Sequence, residues 1–237
     1  MKETPGKRKL LSQNRDLRPH GIFNWTLPAL VARLSDGRKV TTCTAAGACA
    51  RVCFARNGTF LFPNVLARHV WNLELTIDHP DLFKAWMIEE CRKKPGRWVR
   101  IHDSGDFYSD EYLLLWLEII NACPDVNFYC YTKEVSRFRR VLTDVPRNFQ
   151  FVFSLGGKED HLVDRDRDRH ADVFPDEASI NAAGYSSQSR IDTDSVMLTA
   201  NRIGIPANNI AHFKKLMGGR TFAAMEIERR NKSGEIK

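Results

Sequence analysis

The sequence lacks any long apolar run, although hydrophobic residues make up 43% of its 237 positions. No stretch approaches the roughly 20 apolar residues that a membrane-spanning helix needs, which excludes helical membrane proteins. The opening residues MKETPGKRKLL also lack the apolar core of a signal peptide, so we expect a cytoplasmic protein. Structural disulfides are rare in a reducing cytoplasm, and the six cysteines therefore need another explanation.

Internal repeats and low-complexity linkers are absent too, and the chain length suits one sizeable core. We predict a basic N-terminal arm over residues 1–20, a single α/β domain over residues 21–217 and a C-terminal tail over residues 218–237. The formal charge is +7, but basic residues are mixed with acidic ones along the chain. This charge allows a nucleic-acid partner without indicating one, and we expect a small-molecule substrate and no membrane.

Short β-rich stretches alternate with longer amphipathic stretches through the centre of the chain. This alternation predicts βα units around a mostly parallel sheet. The predicted strands cover residues 23–30, 98–101, 126–131 and 149–153, and the predicted helices cover residues 63–77, 82–91, 110–122 and 135–142. Ser109 is the predicted N-cap of the third helix.

Three cysteines, Cys43, Cys49 and Cys53, lie within eleven residues of the stretch TTCTAAGACARVCFARNG. Thiolates gathered in this way suit a metal, and three of them leave one iron of a 4Fe-4S cluster open to another ligand or to a substrate. The pattern favours an iron–sulfur cluster. Zinc is an alternative that needs a histidine or carboxylate from elsewhere, because no second closely spaced cysteine pair follows. Thiols that simply pack as small apolar groups are the other alternative.

Polar side chains follow several predicted strands, where ligands gather in parallel α/β folds. The sequence HDSGD after strand 98–101 offers His102 and Asp103 as candidate catalytic groups, able to ligate iron or transfer protons. After the next strand, Lys133 is a candidate for neutralising an anionic substrate group. The candidate cofactor-binding residues at these strand ends are Ser104, Asp106, Thr132, Ser154 and Gly156.

Four segments, TLPA, CTAAGACARVCFARNGTFLFPNV, VRIHDSGDFYSDEYLLLWLEI and FYCYTKEV, resemble the phage gene-product-88 family. That family is similar to the iron–sulfur barrel of radical S-adenosylmethionine enzymes, in which three cysteines after the first strand bind a 4Fe-4S cluster. The resemblance implies a partial or distorted (β/α) barrel with its cysteine loop after the first strand. It also implies a phage protein that acts in the cytoplasm of the infected host cell.

Two enzymatic hypotheses and one binding hypothesis follow. The cysteine spacing is C-x5-C-x3-C, whereas radical enzymes of this type use C-x3-C-x2-C, and HDSGD replaces the turn that binds the methionine part of their cofactor. These differences favour an open iron that acts as a Lewis acid in ester or thioester hydrolysis. The alternatives are a radical S-adenosylmethionine enzyme and an iron- or redox-sensing protein. The sensor would bind a host factor or nucleic acid through Arg137, Arg139, Arg140 and Arg147.

Overall fold

The computed structural model describes residues 4–188, 200–207 and 211–235. The chain forms two compact units. The first unit comprises Met1–Thr44, Ala55–Cys130 and Arg137–Gln150, and the second comprises Ala45–Phe54, Tyr131–Ser136 and Phe151–Lys237.

The first unit contains a parallel sheet flanked by helices. Its elements are β1 (Ile22–Trp25), β2 (Val31–Arg33), β3 (Lys39–Thr41), α1 (Pro63–Asp78), α2 (Pro80–Arg92), β4 (Trp98–Ile101), α3 (Asp110–Asn121), the beginning of β5 (Asn127–Thr132), most of α4 (Val135–Val141) and the beginning of β6 (Phe149–Ser154). The strand order is β1-β4-β5, and both pairings are parallel. The separate hairpin of β2 and β3 is antiparallel.

The second unit contains the remaining residues of β5, α4 and β6, together with a parallel sheet region of its own. Its own elements are β7 (His170–Phe174), α5 (Glu177–Ala182), β8 (Ser186–Ser187), β9 (Arg202–Pro206), α6 (Ala211–Met217) and α7 (Phe222–Ser233). The strand order here is β6-β7-β9-β8, again with parallel pairings. The predicted α/β class with mostly parallel strands is confirmed. Among the described residues, neither unit closes its strands into a barrel.

Helices α1 and α3 begin at the predicted residues, Pro63 and Asp110, whereas α2 begins two residues before its predicted start. Pro63 and Pro80 occupy the first turns of α1 and α2, positions where the missing N–H of proline costs nothing. Ser109 caps α3 by accepting a hydrogen bond from the Tyr112 N–H at 3.2 Å, as predicted. Buried aromatic rings pack against one another in the core of the first unit. The ring of Trp25, on β1, lies 4.9 Å from that of Phe83, on α2.

The predicted first strand, residues 23–30, is wrong at its end, since β1 stops at Trp25. Pro28 cannot donate to a sheet, and Leu30 adopts a left-handed conformation with φ of +60°. The β2–β3 hairpin follows, turning at Asp36 and Gly37, and Gly37 has φ of +88°. The cysteines therefore follow this hairpin and not the first strand, and the Asp-Gly pair was the signal for it.

The two ends of the chain carry buried groups. Within the residues assigned to the basic arm, Leu10 and Leu11 are buried, and within those assigned to the tail, α7 buries Glu226. In the part of the chain that the structure describes, no helix has the length and apolarity needed to cross a membrane.

Candidate functional site

His102 is the first residue after β4 and has an unusual backbone. Its φ is +70° and it is 3% exposed. Residues other than glycine rarely adopt such a conformation, although histidine does so more often than most. Strained residues of this kind cluster at active sites and ligand clamps. The backbone is held there because the N–H of His102 donates to Trp25 O at 2.9 Å.

The His102 ring takes part in a buried chain of hydrogen bonds. Trp25 Nε1 donates to the Tyr112 hydroxyl at 2.9 Å, and that hydroxyl lies 3.0 Å from His102 Nε2. When the hydroxyl donates to Nε2, the neutral imidazole carries its own proton on Nδ1. Nδ1 is buried and has no hydrogen-bond partner among the described residues.

His102 is neutral at physiological pH. Burial, and to a lesser extent the nearby Arg100, lowers the pKa of His102 to about 3. A group with so low a pKa is a poor general base near pH 7. A neutral imidazole with an unpartnered N–H is instead suited to donate a hydrogen bond to an oxygen that gains negative charge.

Asp103 is held by two polar neighbours. Its Oδ2 accepts a hydrogen bond from Asn24 Nδ2 at 2.6 Å, and its Oδ1 lies 3.3 Å from Arg100 Nε. The carboxylate is thereby fixed beside the end of β4, with its charge balanced by the guanidinium.

The rest of the HDSGD loop is tied to neighbouring backbone. Ser104 Oγ donates to Leu27 O at 2.5 Å, and the Asp106 N–H donates to Thr42 O at 2.9 Å. Gly105 has φ of +78°, and a Cβ there would lie 2.7 Å from Leu27 Cβ. Thus Ser104 supports the loop, and Asp106 links it to the residue that precedes Cys43.

Cys43 lies in the same unit as this loop and is half-buried. Its Sγ accepts a hydrogen bond from the Leu30 N–H at 3.3 Å, and the left-handed conformation of Leu30 directs that N–H. The adjacent Thr44 is held by Arg137 Nη1, which lies 3.3 Å from Thr44 Oγ1 and 2.5 Å from Phe107 O. The backbone on both sides of Cys43 is therefore fixed.

Cys49 and Cys53 belong to the second unit and are also half-buried. Cys49 lies in a 3₁₀ turn, Ala48–Val52, and its N–H donates to Gly156 O at 3.1 Å. Two buried carboxylates hold the segment before it. Glu134 accepts from the Ala45 N–H at 2.8 Å and Glu226 accepts from the Ala48 N–H at 2.6 Å.

Lys133 holds the turn after β6. Its Nζ donates to Ser154 O and Ser154 Oγ, each at 2.8 Å, and to Leu155 O at 2.7 Å. An ammonium group has three N–H donors, and these three acceptors use all of them. Ser154 is in this way an acceptor for Lys133, while Thr132 Oγ1 accepts from the Glu134 N–H at 3.1 Å.

The turn after β6 that contains Gly156 and Gly157 binds a carboxylate of the same chain. The N–H groups of Gly156 and Gly157 both donate to Asp160, each at 2.8 Å. Burial raises the pKa of Asp160. The turn therefore has the anion-holding geometry that paired glycines suggest, and Asp160 supplies the anion in this structure.

The predicted site residues are divided between the two units. The first unit contains Cys43, His102, Asp103, Ser104 and Asp106, and the second contains Cys49, Cys53, Thr132, Lys133, Ser154 and Gly156. Among the described residues, no group of three or more His, Cys, Asp or Glu side chains is placed to hold a metal ion.

Sequence reasoning missed several residues that shape these loops. Tyr112 and Asn24 contact the candidate catalytic side chains, and Glu134, Asp160 and Glu226 hold the loops of the second unit. Only Glu134 had a sequence signal, since it adjoins Lys133 at a strand end. Asp160 lies three to four residues after the glycines that it binds, whereas Asn24, Tyr112 and Glu226 are brought to their partners by the fold.

The basic residues proposed for a polyanion-binding face are partly engaged in ion pairs. Arg137 Nε lies 3.0 Å from Asp110 Oδ1, and Arg140 Nη2 lies 2.7 Å from the same oxygen. Asp110 thus balances part of the positive charge on α4.

The comparison with protein-family models identifies the family of this chain. The family model described as "Gene product 88" matches residues 1–236. The chain belongs to the gene product 88 family. It is 31% identical over 109 residues to the "Gene 88 protein" of Mycobacterium phage L5, and 30% identical over 109 residues to that of Mycobacterium phage D29.

Each alignment with a gene 88 protein spans 42% of this chain, and it covers 46% of the L5 protein and 45% of the D29 protein. The chain thus spans less than half the length of the curated relatives that it matches. No solved structure matches the chain.

Proposed function

We propose that this gene product 88 family member is an iron–sulfur enzyme of an infecting phage, which hydrolyses a small-molecule ester or thioester in the host cytoplasm. The observation that supports catalysis is His102: a buried residue in a left-handed conformation at the end of a parallel strand, with an unpartnered ring nitrogen. Such a group requires an explanation, and a hydrogen-bond acceptor on a substrate supplies one.

The donor chemistry of the cysteines fits an iron–sulfur cluster. Cys43, Cys49 and Cys53 offer three soft thiolate ligands, each half-buried, and thiolate ligands of clusters are tuned by N–H groups such as that of Leu30 on Cys43. The described residues contain no preformed group of metal ligands. In this proposal the three thiolates therefore become a ligand set only when the cluster is inserted. A bound cluster would supply an open iron as a Lewis acid.

His102 and Asp103 have different roles in this proposal. His102 donates its Nδ1 proton as a hydrogen bond to the substrate carbonyl oxygen, and the neutral ring stabilises the negative charge that develops there. Asp103 accepts a proton from the attacking water and returns it to the alcohol or thiol that leaves as the acyl C–O or C–S bond breaks. Asn24 and Arg100 hold the carboxylate in place. Lys133 is a positioning residue that fixes Ser154 and Leu155.

The test compares hydrolysis of p-nitrophenyl acetate and an acyl thioester by the cluster-containing protein and its variants. His102→Asn keeps a side chain that tolerates positive φ but removes the imidazole, and we expect a loss of about 100-fold in kcat, as for an oxyanion donor. His20→Asn, at an exposed histidine, is the matched control and should retain full activity.

Three outcomes would contradict the proposal. Equal hydrolysis by wild type and His102→Asn would remove His102 from the chemistry. Reductive cleavage of S-adenosylmethionine without hydrolysis would favour the radical enzyme. Salt-sensitive retention on DNA without either activity would favour the binding protein.

A further inference from the structure

A cavity lies in the first unit, beside the N-terminal segment that the sequence assigned to a solvated arm. Its volume is about 360 Å³, within the range of small-molecule sites. It is lined by Lys9, Leu10, Leu11, Ser12, Gln13, Thr26, Arg68, His69 and Asn72. None of the lining residues was assigned to the cluster or to catalysis.

The N-terminal segment that lines the cavity, residues 9–13, is a fixed part of the fold. The carboxylate of Glu90 accepts hydrogen bonds from the N–H groups of Leu10 and Leu11, at 2.6 and 3.1 Å. Arg68 Nη2 also donates to Lys9 O. Two guanidinium groups, those of Arg8 and Arg68, lie 5.0 and 5.1 Å from the ring of Trp71. These contacts keep the segment in place without a ligand.

The lining is positively charged. It includes Lys9, which is exposed, and the half-buried Arg68. The neighbouring Glu90 carboxylate lies 3.6 Å from Lys94 Nζ, so its charge is balanced outside the lining. A cavity with this balance favours an anion. Burial and the neighbouring Arg68 lower the pKa of His69 to about 4, so His69 is neutral at pH 7 and offers one donor and one acceptor nitrogen.

One lining residue, Asn72, carries an unpartnered acceptor. Asn72 is 2% exposed, and its Nδ2 donates to Thr26 O at 2.8 Å. Its Oδ1 is buried and has no partner in the part of the chain that the structure describes. A buried polar atom without a partner is costly, and a hydroxyl or amine of a ligand would satisfy it.

We propose that this cavity binds a small hydroxylated organic anion, such as a sugar phosphate or a hydroxy acid. Its anionic group lies near Lys9 and Arg68, and a hydroxyl group donates to Asn72 Oδ1. His69 supplies a further hydrogen bond between them. This site is separate from the proposed hydrolytic function and needs no cluster.

Calorimetric titration of the full chain with ribose 5-phosphate and with gluconate tests this site. We expect saturable binding of at least one of them, and markedly weaker binding of ribose and of inorganic phosphate, which each carry only half of the recognised groups. Lys9→Ala should weaken binding about 5-fold, the size expected for an exposed charge. Lys39→Ala, which removes an equal charge outside the cavity, should not.

A second measurement avoids dependence on variants that disturb folding. The NMR signal of the His69 imidazole should shift on addition of the bound probe, while that of the exposed His20 should not. Absence of binding of both probes, or equal weakening by Lys9→Ala and Lys39→Ala, would overturn the proposal. Binding that leaves the His69 signal unchanged would place the ligand elsewhere and would also overturn it.

Discussion

The Tyr112 hydroxyl lies 3.0 Å from His102 Nε2 and accepts a hydrogen bond from Trp25 Nε1 at 2.9 Å. This arrangement links α3 to the end of β4 and holds the His102 ring through its Nε2. The orientation of the candidate catalytic ring is therefore set by a helix residue that no strand-end pattern identifies.

Tyr112→Phe should destabilise the protein by about 1–3 kcal/mol, because Trp25 Nε1 and His102 Nε2 would each lose a buried partner. Urea unfolding measures this change. Tyr108→Phe is the matched control: the half-buried Tyr108 makes one hydrogen bond, to Thr76 Oγ1, so its removal should cost about 0.5–1.5 kcal/mol. Equal costs for the two variants would contradict the proposed chain of hydrogen bonds.

The free energy of unfolding should fall as the pH is lowered from about 6.5 to about 3. The pKa of His102 is lowered to about 3 in the folded protein, so the unfolded chain binds more protons in this interval and acid favours unfolding. His102→Asn removes this contribution, whereas those of His69 and His170, whose pKa values are also lowered, remain. Stability curves of the variant should therefore be flatter; parallel curves would show that His102 does not titrate as described.

Glu226→Ala should destabilise the protein by about 1–3 kcal/mol, since it leaves the buried Ala48 N–H without its acceptor. It also removes the ion pair with the half-buried Arg229. Glu228→Ala is the control on the same helix, because Glu228 also pairs with an arginine but is 43% exposed. Its cost should stay below about 1 kcal/mol. Similar melting temperatures for the two variants would contradict the importance of Glu226 for the Cys49 segment.

Gly105→Ala should destabilise the protein more than Gly96→Ala. Both glycines have positive φ, but a Cβ at Gly105 would lie 2.7 Å from Leu27 Cβ, whereas one at Gly96 would meet nothing within 4 Å. Backbone strain costs about 1–2 kcal/mol in each variant, and the clash adds about 1–3 kcal/mol at Gly105. Chemical denaturation measures the difference, and its absence would mean that the HDSGD loop shifts freely.

Much of the fold could be predicted because its signals are local. Apolar spacing and the Ser109 cap mark α1, α2 and α3 with end errors of a few residues. The first strand was extended too far because apolar content was given more weight than Pro28. The Asp36–Gly37 turn of the hairpin was visible but not used.

The site could be predicted less well, since its geometry depends on side chains distant in sequence. The HDSGD loop was identified correctly as a polar strand end, but the partner of His102 comes from α3 and the partner of Asp103 comes from β1. Likewise, Lys133 was interpreted from its position after a strand, and only the fold shows that Ser154 and Leu155 use its three donors.

The most direct test of the central claim is the iron, sulfide and zinc content of anaerobically purified protein, measured with its absorption spectrum. We predict about four irons and four sulfides per chain, with loss of both in Cys43→Ala, Cys49→Ala and Cys53→Ala and retention in Cys91→Ala, at a buried cysteine of α2. Stoichiometric zinc without visible absorbance, or equal iron in all four variants, would contradict the iron–sulfur assignment.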